Sequence, residues 1–222
     1  MNIENTLNYG IIILKANKIP NPYLDSEILL SESIKKDKKY IILNSKEILN
    51  RKQLDRFNNF IQRRKKGEPI AYLIKKKEFW RDEFYVSKDV LIPRPDTELI
   101  VEQVLKIYSK ESRLRVLDIG TGSGCILLSI LKERLNFYGT GIDISKKSIN
   151  VSKFNADKLH LTNRTKFIHS SVDNFKIGKY DLVVSNPPYI ELLNLKYLEK
   201  NVVNFEPKLA LNGGFDGFSK IR

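Results

Sequence analysis

Cysteine is almost missing from this 222-residue chain. With Cys125 alone, no intramolecular disulfide and no cysteine-built zinc centre can form. Histidine is nearly as scarce. His160 and His169 have no partner at metal-ligand spacing, so both read as surface or sheet-edge residues and no metal is expected. No apolar run approaches the ~18 residues of a membrane-spanning helix. The opening Met1-Asn2-Ile3-Glu4-Asn5 lacks the basic-then-apolar pattern of an export leader, so a cytoplasmic location without membrane contact is the default. Acidic residues are too few to balance the basic ones, 26 against 39, which leaves a net charge of +13. Such a surface attracts nucleic acid or acidic protein. Lysine, asparagine and isoleucine are abundant throughout, as in a product of an AT-rich genome, so the charge does not choose a partner.

What is present suffices for a folded chain. Hydrophobic residues make up 41% and charged residues 29%, enough for a packed core and below the disordered range. The first part reads as helical. Ile3, Leu7, Ile11 and Leu14 share one helix face; Asp25 and Ser26 stand as caps before Ile28-Leu29-Leu30; Leu54, Phe57 and Ile61 repeat at helical spacing. That helix ends in Arg63-Arg64-Lys65-Lys66, read as a solvated end that suits the helix dipole. From Glu78 the composition turns strand-like through Phe79, Trp80, Phe84, Tyr85, Val86, Val90 and Leu91. Turns at Arg81-Asp82-Glu83 and Ser87-Lys88-Asp89 predict a β-hairpin connector with a solvated Asp82-Glu83 pair. After Ile92-Pro93-Arg94-Pro95, Asp96 or Thr97 would cap a helix.

The remainder alternates strand and helix. Val116–Ile119, Tyr138–Asp143, Lys166–Ile168 and Tyr180–Val184 read as strands. Helices run from Ser123 to Arg134 and from a Ser145 cap to Leu159, and Leu209-Ala210-Leu211 is a candidate fifth strand. This pattern predicts an α/β domain, a doubly wound and mostly parallel sheet. The expected division is residues 1–74 helical, 75–97 hairpin linker and 98–222 α/β domain.

Two segments carry chemistry. Asp118-Ile119-Gly120-Thr121-Gly122-Ser123-Gly124 joins the first strand to its helix, with Cys125 as a small buried residue behind it. Glycines there let the chain turn and a ligand approach, beside free N–H groups of the helix start. Asp143 closes the next strand, where a carboxylate can accept both ribose hydroxyls of an adenosine. NAD is the competing ligand, but its fingerprint is G-x-G-x-x-G and serves a pyrophosphate. The spacing here is G-x-G-x-G, and Asp118 suits a positive group better. S-adenosylmethionine carries an ammonium and a sulfonium and no phosphate. The second segment is Ser185-Asn186-Pro187-Pro188-Tyr189, directly after the fourth strand. Two prolines end the ladder and stiffen the turn. An amide nitrogen is a poor nucleophile. The Asn186 oxygen and the Pro187 carbonyl can each accept one of its N–H bonds, and both bonds strengthen as charge grows on nitrogen. Tyr189 can pack on a flat amide or base.

With these residues the chain resembles the HemK/PrmC family of protein-(glutamine-N5) methyltransferases, which act on peptide chain release factors. The likeness runs through Gly67-Glu68-Pro69-Ile70-Ala71-Tyr72, Glu78-Phe79-Trp80, Phe84–Ser87 and Leu91-Ile92-Pro93-Arg94-Pro95-Asp96-Thr97-Glu98. It continues through Gly120–Gly124, Ser185–Ile190, Glu206-Pro207, Ala210–Gly214 and Asp216-Gly217. The resemblance implies a Rossmann-like class I methyltransferase domain preceded by a helical domain that grips the release factor. It implies S-adenosylmethionine held by Asp118, Gly120, Thr121, Gly122, Ser123, Gly124, Asp143, Asn186 and, near the adenine, Ser171. The acceptor would be the glutamine of a Gly-Gly-Gln loop, held by Asn186, Pro187, Pro188 and Tyr189, with Asn186, Pro187 and Tyr189 catalytic. Two departures stand out. Lys75 replaces a usual glycine. The family's chain also continues past Asp216-Gly217, so two final strands and a helix are expected to be missing here, from a fragment, a degraded gene product or part of a fusion. Ser171-Val172 lacks the family's frequent aromatic residue. The expected enzyme is a monomer, and direct binding of nucleic acid is not expected. The alternatives are an adenine-N6 nucleic-acid methyltransferase sharing the tetrapeptide, and a truncated binding protein without turnover.

Overall fold

The computed structural model describes residues 1–219. The chain forms two compact units, one of Met1–Ile74 and one from Lys75 onward.

The first unit is helical: α1 Ile3–Ala16, α2 Pro22–Ile34, α3 Lys38–Leu43, α4 Arg51–Arg64 and α5 Ile70–Ile74. Local chemistry sets the starts. Asn2 and Asp37 each accept the N–H three residues on. Asn50 forms a reciprocal capping box with Gln53. The amphipathic faces bury Ile3, Leu14, Leu29, Leu30, Phe57 and Ile61 together. Two sequence expectations are corrected. α2 begins at Pro22 behind Asn21, so Asp25 and Ser26 are interior helix residues and both are buried. The run Arg63–Lys66 is not simply a solvated end: Arg64 is buried and donates to Asp25 at 2.7 Å, and Arg63 pairs with Glu68. A charge is tolerated inside only with such a partner.

The second unit opens with the hairpin β1 Lys76–Phe79 and β2 Asp82–Tyr85. Its turn is Trp80-Arg81 rather than residues 81–83. Trp80 takes φ 58°, held by the Glu98 carboxylate, which accepts its backbone N–H at 2.8 Å, and by Glu133, which accepts its indole N–H at 2.9 Å. Asp82 and Glu83 therefore belong to β2 and are not free in solvent: Asp82 pairs with Lys132, and Glu83 with Lys158 and Lys76. Lys75, before the hairpin, has φ 59°, yet its carbonyl still accepts Val86 N–H.

The sheet follows with α6 Glu98–Ile107, β3 Arg115–Ile119, α7 Cys125–Glu133, β4 Tyr138–Asp143, α8 Lys146–Lys158, β5 Thr165–His169, β6 Leu182–Ser185 and α9 Lys200–Phe205. The four strands β3 to β6 are all parallel, in the order β5-β4-β3-β6. Phe84, Val101, Val116, Leu127, Leu128 and Phe137 form the centre of the core. Gly139 and Gly141 of β4 let α7 and Phe167 press close, since a Cβ at either would meet side chains within 2.7 Å. The candidate strand Leu209–Leu211 is not one. Residues Lys208–Ala210 make a 3-10 turn, followed by a single parallel bridge from Ile190 to Asn212. Thr97 likewise makes no side-chain capping bond to α6, and Pro95–Thr97 is a 3-10 turn. Among the described residues no helix is long and apolar enough to cross a membrane.

Candidate functional site

β3 ends between β4 and β6, so its carboxyl edge is where loops from three strands meet. Open α/β sheets bind ligands at this edge. Asp118 is almost completely buried there. Its Oδ2 accepts the Thr121 hydroxyl at 2.7 Å, and its Oδ1 has no partner among the described residues. Burial pushes its pKa up to about 7 against the pull of the Thr121 bond, with the nearby Asp143 charge adding to the rise. A buried, half-satisfied carboxylate is a poised acceptor for a cation or N–H group.

The chain then turns sharply. Gly120 and Thr121 both donate to the Ile142 carbonyl, at 2.9 and 3.0 Å. Gly120 and Gly122 lie at φ 71° and 55°, and a Cβ built on Gly120 would meet nothing within 4 Å beyond its own chain neighbours. Gly124 serves a different purpose: a Cβ there would press Leu128 and Ser152, so it permits packing of α7 on α8. Thr121 and Ser123 are buried, with the Ser123 carbonyl accepting Asn155 Nδ2 at 2.8 Å. Cys125 is buried, and desolvation pushes its thiol up to about 12, which leaves it inert.

Asp143 ends β4. Its Oδ2 accepts Gly122 N–H at 3.0 Å and its Oδ1 accepts Ser145 N–H at 2.8 Å. The carboxylate therefore pins the glycine loop from the carboxyl end of β4. Burial raises its pKa, opposed by those two backbone bonds. Ser170 N–H donates to the Asp143 carbonyl at 3.0 Å, which sets half-buried Ser171 at the same edge.

The tetrapeptide enters from the other side. Ser185 pairs in register with Ile119 and its hydroxyl donates to the Ile119 carbonyl at 2.8 Å. Asn186 thus leaves the sheet beside the residue that opens the glycine loop. Asn186, Pro187 and Pro188 are half-buried, while Tyr189 is 65% exposed. The Asn186 amide donates to Thr97 Oγ1 at 3.1 Å. Its oxygen and the Pro187 carbonyl accept no bond among the described residues. The backbone beyond is clamped: Ile190 N–H donates to Leu211, Gly213 N–H to Ile190, and Leu192 N–H to Gly214.

All the sequence-derived site residues therefore gather at one edge. His160 and His169 are both exposed; His169 ends β5 in register with Asp143, and its Nε2 is bonded to the Ile144 carbonyl at 2.9 Å. Three supporting residues had no role at this site assigned from the sequence: Thr97, read there only as a helix cap, Glu206 and Asn155. The first two lie in segments whose likeness to a family was visible, but nothing local said what they touch. A cavity of about 500 Å³ lies away from this edge, at the amino ends of β4 and β5, lined by Arg115, Tyr138, Thr165 and Lys179.

The cleft's donor set fits S-adenosylmethionine: an unpaired buried carboxylate for its cationic end, a glycine turn open to a ligand, and a second carboxylate for a ribose. Comparison with known proteins agrees. Residues 5–74 match the PrmC N-terminal domain and residues 110–212 a methyltransferase domain. A release factor glutamine methyltransferase of Buchnera aphidicola subsp. Baizongia pistaciae is 43% identical over the whole of this chain, which spans 79% of that protein. The Caulobacter vibrioides protein of the same name is 38% identical over 94% of this chain and 73% of its own length. A bifunctional methyltransferase of Rickettsia bellii is 37% identical over 97% of this chain but only 44% of its own length. Among solved structures, the catalytic domain of hMettl16 superposes with TM-score 0.51 at 18% identity, over 62% of this chain and 53% of that one, which supports the fold.

Proposed function

The chain belongs to the release factor glutamine methyltransferase family, and on that footing we propose that it N5-methylates the glutamine of the Gly-Gly-Gln loop in peptide chain release factors. S-adenosylmethionine, when bound, supplies an electrophilic methyl carbon on its sulfonium. What remains for the protein is to place the acceptor nitrogen in line with it.

The observation that carries this reading is the register of Ser185 with Ile119. It sets Asn186 and Pro187, whose oxygens accept no bond among the described residues, next to the strand end that opens into the glycine turn. A glutamine NH₂ group donating to both is held with its nitrogen lone pair toward the cofactor. Each bond strengthens as positive charge develops on nitrogen, so the pair favours the transition state over the ground state. Tyr189, solvent-facing, supplies a flat surface for the amide plane. Asp118 and Asp143 hold the cofactor's cationic end and ribose, with Thr121, Ser123 and Ser171 shaping the cleft. The helical unit of Met1–Ile74 grips the release factor. The substrate class carries a cytoplasmic site of action with it, and the acting species proposed is a monomer.

Incubation with methyl-labelled S-adenosylmethionine and either release factor or DNA tests the proposal. Label on the loop glutamine is expected. Label on adenine alone overturns it in favour of the base methyltransferase that shares this tetrapeptide, and binding without label favours a docking protein.

A further inference from the structure

Asn186 can serve an acceptor NH₂ group only with its oxygen, so its amide must face the cleft one way round. A buried hydroxyl stands beside its nitrogen. Thr97 is 9% exposed, and its Oγ1 accepts Asn186 Nδ2 at 3.1 Å.

The segment bearing Thr97 is fixed on every side. Thr97 N–H donates to the Arg94 carbonyl at 3.1 Å. Arg94 and the Ile92 N–H both bond the buried carboxylate of Glu206, at 2.5 and 3.3 Å. The next residue, Glu98, is tied to the Trp80 turn at 2.8 Å. Four anchors hold this short segment. They fix the backbone that presents this buried hydroxyl to an amide 89 residues away.

We propose that Thr97 is a positioning residue for methyl transfer: its hydroxyl bonds one end of the Asn186 amide and fixes the side chain in place, with the nitrogen on Thr97 and the oxygen left for the acceptor amide. The inference rests on the function proposed above and adds to it a second side chain that never touches the substrate. Its effect is expected on turnover more than on cofactor binding, because its bond is to Asn186 and not to the glycine turn.

Three variants test it. Thr97→Val keeps the shape and removes the acceptor; Thr97→Ser keeps the acceptor. In the valine variant kcat should fall about tenfold, the value of one neutral hydrogen bond. Cofactor affinity by calorimetry should stay at the wild-type value, the melting temperature should fall by no more than a few degrees, and the serine variant should retain most of the rate. Combining Thr97→Val with Asn186→Ala should cost no more than Asn186→Ala alone, since the hydroxyl acts only through the asparagine. A valine variant with wild-type kcat, or a double variant whose losses multiply, overturns the inference while leaving glutamine methylation standing. If the wild-type chain labels no glutamine, the function itself fails. The positioning bond is then judged by NMR. The Asn186 side-chain NH₂ pair, assigned through Asn186→Ala, should shift and exchange faster with water in Thr97→Val. An unchanged pair overturns the bond.

Discussion

Arg94 and Glu206 lie 112 residues apart in sequence and 2.5 Å apart in the fold. The Glu206 carboxylate is nearly inaccessible, and besides Arg94 it accepts the Ile92 N–H. It thereby ties the segment before α6 to the segment after the reaction tetrapeptide, the two stretches that flank Asn186. A buried carboxylate left without its cation is costly.

Arg94→Ala should therefore destabilise the second unit. The arginine is 37% exposed, so water can partly replace it, and the loss should be about 1–3 kcal/mol rather than that of a fully buried pair. Urea unfolding measures it. Glu206→Gln, which can still accept the Ile92 N–H, should cost less. A reversed order between the two variants would contradict this account.

Asn186→Ala removes one of the two acceptors assigned to the substrate amide. Loss of an orienting bond that tightens in the transition state should lower kcat by roughly 10²-fold or more. Cofactor affinity should change little. Single-turnover kinetics and calorimetry separate the two. Turnover at the wild-type rate would remove Asn186 from the chemistry.

Much of this site was legible in the sequence because it is local. The glycine turn, the strand Tyr138–Asp143 and the proline tetrapeptide each announce themselves within a few residues, and the alternation of strand and helix places them on one edge. What was illegible is pairing at a distance. Asn155 accepts Tyr85 N–H and donates to the Tyr85 and Ser123 carbonyls, so one helix side chain joins hairpin to cofactor loop, yet no spacing rule points from residue 155 to residue 85. Arg64 and Asp25 are the same case in the helical unit. Trp80 was misplaced because an aromatic residue favours strands, and here two glutamates hold it in a turn. Leu209-Ala210-Leu211 is too short an apolar run for periodicity to separate strand from turn. The cap of α2 was missed although Asn21-Pro22 carries its own signal, proline at the first helical position.

Lys75→Gly should stabilise the protein. Lys75 sits at φ 59°, a region that an L side chain enters at a cost and glycine does not. The residue is exposed, so little packing is lost, although glycine also frees the unfolded chain. The net gain should be about 0.5–1 kcal/mol, seen as a rise of roughly 2–4 °C per kcal/mol in the melting temperature. A lower melting temperature would show that the lysine side chain contributes something its backbone conformation hides.

Asp118 predicts how pH acts on both folding and cofactor binding. Burial raises its pKa to about 7 in the folded chain, against about 4 for a carboxyl in the unfolded one. Between those values the folded state holds more protons than the unfolded state, so this group's contribution to stability falls as pH rises from about 4 to about 7 and is flat above. A cation at its unpaired oxygen favours the ionised form, so binding below pH 7 must expel the proton. Cofactor affinity should then drop by up to about tenfold for each unit below pH 7. Asp118→Asn cannot ionise and should bind weakly, with the part of the pH dependence due to this group gone. Asp143 is raised in the same direction, and what slope survives in the variant belongs to it. Calorimetry from pH 5.5 to 8 in buffers of different ionisation enthalpy counts the proton directly. Equal affinity across that range in the wild type would mean that Asp118 does not face the charge it is assigned.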